Sequence, residues 1–237
     1  LEEFLKSLYK SYDTRIDKAY IIRLSNNKKS VELSERCLNS CVFVNMPCEY
    51  WEGYDGVSSN EITPPDHLKD HIVMKMIKIS NHYMLRGEVA CALSHISLWS
   101  KCLEIEKPIV ILEHDAIMVN PYLEHTLFNS ICYLGSFEQY KCDWGVNPTP
   151  LFGSEGPNYL FICRAHAYSI DPTIARILLS HVLKYGIENP LDILIRSDIF
   201  PIHQMGLYAY DLINEETTIK NRCSNGRPSK RNDNLEV

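Results

Sequence analysis

Residues 87–120 read GEVACALSHISLWSKCLEIEKPIVILEHDAIMVN, and no other stretch constrains the fold as much. Val89, Leu93, Ile96 and Leu103 recur at spacings of three to seven, and Ala90, Ala92, Trp99 and Ile105 widen the same apolar face. That spacing predicts an amphipathic helix over the first two thirds. Glu104, Glu106 and Lys107 turn the pattern polar, and Pro108, which lacks an N–H, blocks continuation. Ile109 to Leu112 is then an apolar run of strand length, and its three β-branched residues favour a buried, pleated strand. Glu113-His114-Asp115 follows directly, before apolar residues resume at Ala116 to Val119. A helix feeding a buried strand that ends on carboxylates points to an α/β fold with chemistry at the strand end.

Carboxylates are almost never fully buried unless paired or bound to a metal. Glu113 and Asp115 are two apart, so in an extended chain their side chains leave the same side. At the end of a parallel strand they would face the crevice where α/β sheets bind ligands. Two hard oxygen ligands suit Mg²⁺ or Mn²⁺, ions that bridge to a diphosphate. The plainer alternative is a solvated turn between two strands.

The preceding helix weighs against that alternative. Gly87-Glu88, Cys91, Leu93-Ser94-His95, Trp99 and the strand end ILEHD together resemble the signature of glycosyltransferase family 25, the lipooligosaccharide and procollagen galactosyltransferase group. His114 stands where that family usually has Asp; the outer acids Glu113 and Asp115 still match its D-x-D type metal motif. Thinner likenesses come in the family's order. They are Tyr20-Ile21-Ile22-Arg23-Leu24, Asp55-Gly56, Ala167-Tyr168 with Ala175 and Leu178-Leu179, Pro190-Leu191-Asp192, and Glu216 to Ile219.

The chain has 237 residues, 45% of them apolar and 23% charged, enough for one α/β domain with a core of its own. The net charge of −6 argues against a general polyanion-binding surface. No apolar run approaches the roughly 20 residues of a membrane helix, no signal peptide is visible, and the sequence begins at Leu1 rather than Met. The nine cysteines form no C-x-x-C pair, so a structural zinc site is not expected, and scattered thiols suggest a reducing, cytoplasmic setting in a bacterium or virus-infected cell.

Along the chain, Leu1 to Tyr12 reads as an amphipathic helix, Ala19 to Leu24 as a strand, Lys28 to about Asn39 as a helix capped by Ser25-Asn26-Asn27, and Val42 to Val44 as a second strand. Glu49 to Gly56 is aromatic and closes on an Asp-Gly turn. A helix is expected around His67 to Ser80, another from Asn120-Pro121 to about Leu134, a strand over Tyr159 to Cys163, a helix over Pro172 to Tyr185 and a closing strand over Met205 to Leu212. Gly153 to Pro157 is the best lid candidate. The expected organisation is one domain over 1–219 and a basic, polar tail over 220–237.

The resemblance implies a GT-A-like nucleotide-diphospho-sugar transferase fold, a mixed central sheet flanked by helices. It implies transfer of galactose or glucose from a UDP-sugar to a hydroxyl on a glycan, lipooligosaccharide or protein, with inversion and with Mn²⁺ or Mg²⁺. Asp115 and Glu113 would hold the metal, with a late histidine, His166 or His203, as a third ligand. Leu24, Ser25, Asn26, Asp55, Arg86 and Glu113 would line the nucleotide, and Tyr50, Trp51 and Tyr54 could stack on it. Asp192, then Glu88, are the candidate bases; Ser94-His95 would orient the strand end, and His166 and Tyr168 would face the acceptor. Two rivals stand beside this reading: a viral or phage-type enzyme glycosylating a modified nucleic-acid base, and a degenerate member that binds sugar nucleotide without turnover. A fold-only match is a third.

Overall fold

The structure, a computed structural model, describes residues 13–58, 60–122, 124–135, 149–150 and 165–211. The sequence expectations for 1–12, for the lid and strand between 153 and 163, and for 212–237 lie outside these residues.

Eight strands form one mixed, curled sheet: β1 (Ala19–Arg23), β2 (Cys48–Glu52), β3 (Ile109–Glu113), β4 (Ala116–Met118), β5 (Ile131–Gly135), β6 (Thr149–Pro150), β7 (Ala167–Ile170) and β8 (Ile202–Asp211). The spatial order is β2-β1-β3-β7-β5-β8-β4, with β6 against β8. β2, β1 and β3 run parallel, and β7 is antiparallel to both β3 and β5. The helices are α1 (Lys28–Phe43), α2 (Ile72–Met76), α3 (Arg86–Ile105), α4 (Pro172–Tyr185) and α5 (Leu191–Leu194). This is the mixed sheet flanked by helices of a nucleotide-sugar transferase-like fold.

Strand periodicity divides the core in two. Tyr20 and Ile22 of β1, Ile109 and Ile111 of β3, and Tyr168 and Ile170 of β7 enter one cluster, with α3 and α4. The alternate residues Ala19, Ile21, Val110, Leu112 and Ala167 enter the other, with Cys37 and Cys41 of α1. α3 is buried along nearly its whole length and ends at Glu106 in the left-handed conformation (φ 51°) two residues before Pro108. Among the described residues no helix is long and apolar enough to cross a membrane.

Four expectations are corrected. The predicted strand Val42–Val44 is the end of α1, because the buried row Leu33, Cys37, Cys41 carries the helix on; Val42 and Phe43 are 68% and 85% exposed. The second strand is Cys48–Glu52, inside the stretch expected to be an aromatic turn. The described residues between 121 and 134 hold no helix, where one was expected to about Leu134. Thr126 bonds Ser169 at 2.8 Å and the backbone of Thr14, and Ile131 to Gly135 is a buried strand whose side chains serve both cores. The helix expected over 67–80 is a short 3₁₀ turn and α2, ended where Ile77 turns extended and Ile79 pairs with Ile187.

Candidate functional site

β3 ends on Glu113, and strand parity places its side chain on the α3 side, after Ile109 and Ile111. α3 meets it with Cys91, His95 and Trp99, three residues at successive spacings of four and so on one stripe. Cys91 Sγ donates to Glu113 Oε1 at 3.4 Å, and His95 Nε2 lies 3.3 Å from the same oxygen. On its other side His95 Nδ1 is 2.8 Å from the Tyr168 hydroxyl, which accepts from Trp99 Nε1 at 2.9 Å. An indole nitrogen only donates, so the Tyr168 hydroxyl accepts from Trp99 while it meets His95 Nδ1 on its other side. A buried chain, Trp99 to Tyr168 to His95, thus fixes the orientation of the strand-end carboxylate. The sequence showed His95 as a supporting residue but not its partners; the four-residue spacing of Cys91, His95 and Trp99 was the available signal.

Burial opposes ionisation of Glu113, but the His95 bond and the nearby His95, His114 and His166 outweigh it and pull the group down to about 2. Glu113 is therefore an anion at any working pH. Its backbone N–H bonds the His166 carbonyl at 2.9 Å, so His166 belongs to this strand end. The His166 ring packs edge-on to Tyr133 (5.9 Å) and over Gly135, where a Cβ would collide with it.

The strand hydrogen-bonding ends at Glu113, and His114-Asp115 forms the turn into β4. The two acids therefore do not share one extended segment, as the spacing predicted. Asp115 lies close enough to α1 that its charge, after the Cys41 bond and burial, contributes to raising the Cys37 thiol. β8 curls back to the same place, pairing Asp211 with Ala116.

The nucleotide-side candidates gather at the same edge of the parallel strands. Leu24, Ser25 and Asn26 follow β1, whose Ile22 pairs with Glu113. The N–H groups of Leu24 and Ser25 are taken by Ser30 Oγ (2.9 Å) and Glu52 Oε1 (2.6 Å), so side chains rather than backbone are left to meet a ligand. Asn26 Nδ2 donates to Asp55 at 2.6 Å, and Asp55 also accepts from the N–H groups of Val57 and Ser58. Gly53 packs on Ser94 Oγ, which also accepts from the Tyr54 N–H at 2.8 Å. Gly56 lies on the first turn of α3: a Cβ there would sit 2.5 Å from the Arg86 carbonyl oxygen. Arg86 is the first residue of α3, and Glu88 Oε2 turns back to accept from the Leu85 N–H at 3.0 Å, a helix-capping role.

Asp55 yields a prediction. Burial opposes its charge, but bonds from Ser58, Val57 and Asn26 leave it below the ordinary 3.8. A depressed carboxylate stabilises the fold fully above its unfolded value and loses that contribution as pH falls through the folded one. Asp55→Ala is expected to cost about 1–3 kcal/mol at pH 7, with the gap to wild type narrowing below about pH 4; urea denaturation at pH 7 and pH 3 checks both.

Other candidates are placed differently. His203 is level with Cys132, which pairs with Ser169 opposite Val110. It therefore lies three strands, about 14 Å of sheet, from β3 and three residues short of Glu113's level. Its Nδ1 bonds Ser130 at 2.6 Å, and the structure does not bring it to the acid turn. Tyr168 is fully buried beneath Glu113 rather than facing outward. Trp51 bonds Ser97 through its indole N–H (2.9 Å), and Tyr54 is buried, so neither is an open stacking platform. Asp192 sits in the first turn of α5, which packs on α3; the N-cap there is Pro190.

The profile of glycosyltransferase family 25 (LPS biosynthesis protein) matches residues 16–144, more than half of the chain and the whole span from β1 through the acid turn to β5. The chain belongs to glycosyltransferase family 25. No curated protein matches it. As a member of that family it is a glycosyltransferase, with a sugar donor and a glycan acceptor. The match stops before β7, so His166 and Tyr168 join the site on geometry alone.

Proposed function

We propose that this glycosyltransferase moves a hexose, galactose or glucose, from a UDP-sugar to a hydroxyl of a glycan, lipooligosaccharide or protein, with inversion at the anomeric carbon. The observation that supports it best is Glu113. In a family-25 chain, a carboxylate locked as an anion stands at the C-terminal edge of parallel strands, beside the Asn26–Asp55 loops and the start of α3.

Mn²⁺ or Mg²⁺ fits this site, because Glu113 and Asp115 supply hard, charged oxygens at the strand end and its turn. Asp115 would be the main ligand, with Glu113 on the metal or the ribose. When bound, the ion offsets charge developing on the leaving diphosphate. The loops bearing Ser25, Asn26 and Asp55 would hold the nucleoside, with Arg86 on the phosphates. Inversion needs a base at the acceptor hydroxyl as it attacks in line. Asp192 takes that role over Glu88, whose carboxylate caps α3. A reducing, cytoplasmic setting is proposed from the six described cysteines, all thiols, with Cys41 hydrogen-bonded to both Cys37 and Cys48.

The test is UDP release from a panel of UDP-sugars with Mn²⁺ or EDTA. Release from one sugar that needs Mn²⁺ and disappears in Asp115→Ala is the expected result. Silence across the panel, with no metal-dependent UDP binding by calorimetry, would refute the reading.

A further inference from the structure

Cys91 Sγ, His95 Nε2 and Glu113 Oε1 all lie within 4.8 Å of one another, and their two contacts through Oε1 measure 3.4 and 3.3 Å. Tetrahedral zinc with ordinary bond lengths holds S, N and O donors about 3.4–3.6 Å apart. We propose that these three side chains form a soft-metal site that takes Zn²⁺ and, by doing so, withdraws Glu113 from the sugar-donor site.

The chemistry differs from that of the acid turn. A thiolate and an imidazole favour Zn²⁺ over Mn²⁺ or Mg²⁺, which prefer oxygen. Cys91 and His95 are one helical turn apart on α3, a rigid element, and Glu113 comes from a strand of the central sheet. His95 is fully buried, and its remote nitrogen is held by Tyr168, the outer contact that orients a metal-bound histidine. Cys91 and Glu113 are half-buried, which leaves a path to the three donors and room for a fourth ligand from solvent.

Proton balance is simple. The Cys91 thiol proton leaves to solvent as sulfur binds the ion. His95 binds through the Nε2 lone pair, with Nδ1 kept at the Tyr168 hydroxyl. Glu113 binds in the anionic form it already has.

Binding itself does not depend on the transferase reading; only the inhibition rests on it. Co²⁺ serves as the spectroscopic stand-in for Zn²⁺. One equivalent is expected to give a thiolate-to-cobalt charge-transfer band in the near ultraviolet. The band should persist in Asp115→Ala, vanish in Cys91→Ser and be displaced by Zn²⁺. By calorimetry Zn²⁺ should bind once per chain, and Cys91→Ser should weaken it by more than the roughly 10–100-fold lost with an outer-sphere partner. Serine can still donate to Glu113, and near-ultraviolet circular dichroism checks its fold. Should it fail to fold, alkylation of wild type read by peptide mass mapping decides: Zn²⁺ must protect Cys91. A folded wild type with no such band, a Cys91→Ser affinity equal to wild type, or Cys91 alkylated equally with and without Zn²⁺ would overturn the proposal. Zn²⁺ binding without UDP release would fault the transferase reading alone; Mn²⁺-dependent release with no thiolate band would fault this one alone.

Discussion

Replacing Glu113 by Gln is expected to lower kcat by about 10²–10³-fold, the scale of losing one preorganised electrostatic contact. The substitution keeps the size of the side chain, and the amide oxygen can still accept from His95 and Cys91, so what changes is charge. Wild-type Glu113 is held at about 2 although burial opposes its ionisation. Because that value is depressed, its charge and the stability it brings are complete above the ordinary carboxylate value of 4.5 and are lost only as pH falls toward 2. The pH–rate profile should therefore show no acid limb from Glu113 between about pH 5 and 8. Measuring kcat and KM with the donor identified by UDP release separates two roles: a fall in kcat alone places Glu113 on the developing charge, and a matching rise in KM places it on the ribose. Turnover in folded Glu113→Gln within threefold of wild type would remove Glu113 from the mechanism.

The central stretch was legible because its physics is local. The apolar spacing of Val89, Leu93 and Ile96, the stop at Pro108 and the β-branched Ile109–Ile111 each act within a few residues, and α3 and β3 appear where they predict. Val42–Val44 misled because β-branched residues favour strands only where packing agrees. There the buried Cys37–Cys41 row kept the chain helical, and Val42 and Phe43 were left in solvent. Residues 121–134 depend on partners far along the chain, Thr14 and Ser169 among them, which no local pattern contains. The site divides the same way. The carboxylates and His95 stood out as residue types in a pattern. The Tyr168 link depends on β7 lying antiparallel beside β3, and the distance of His203 depends on β8 lying three strands away. Those are properties of sheet order rather than of spacing.

The largest stability effect is expected at Trp99. It is 0% exposed, in the middle of α3, and it is the donor that starts the chain to Glu113. Trp99→Ala opens a cavity in the larger core and should cost about 3–5 kcal/mol, which for a chain of this size lowers Tm by about 6–20 °C. Trp99→Phe separates packing from hydrogen bonding. It keeps most of the ring and removes only the indole N–H, so it should cost about 1–2 kcal/mol. The Tyr168 hydroxyl then loses a donor it accepts from, but its contact with His95 Nδ1 and that of His95 Nε2 with Glu113 remain. Trp99→Phe should therefore retain kcat within a few-fold while losing stability. Urea denaturation with turnover on the same samples reads both quantities. A collapse of kcat in a Trp99→Phe protein that remains folded would mean that the indole bond itself sets the orientation of Tyr168. The positioning of Glu113 would then begin at Trp99 rather than at Tyr168.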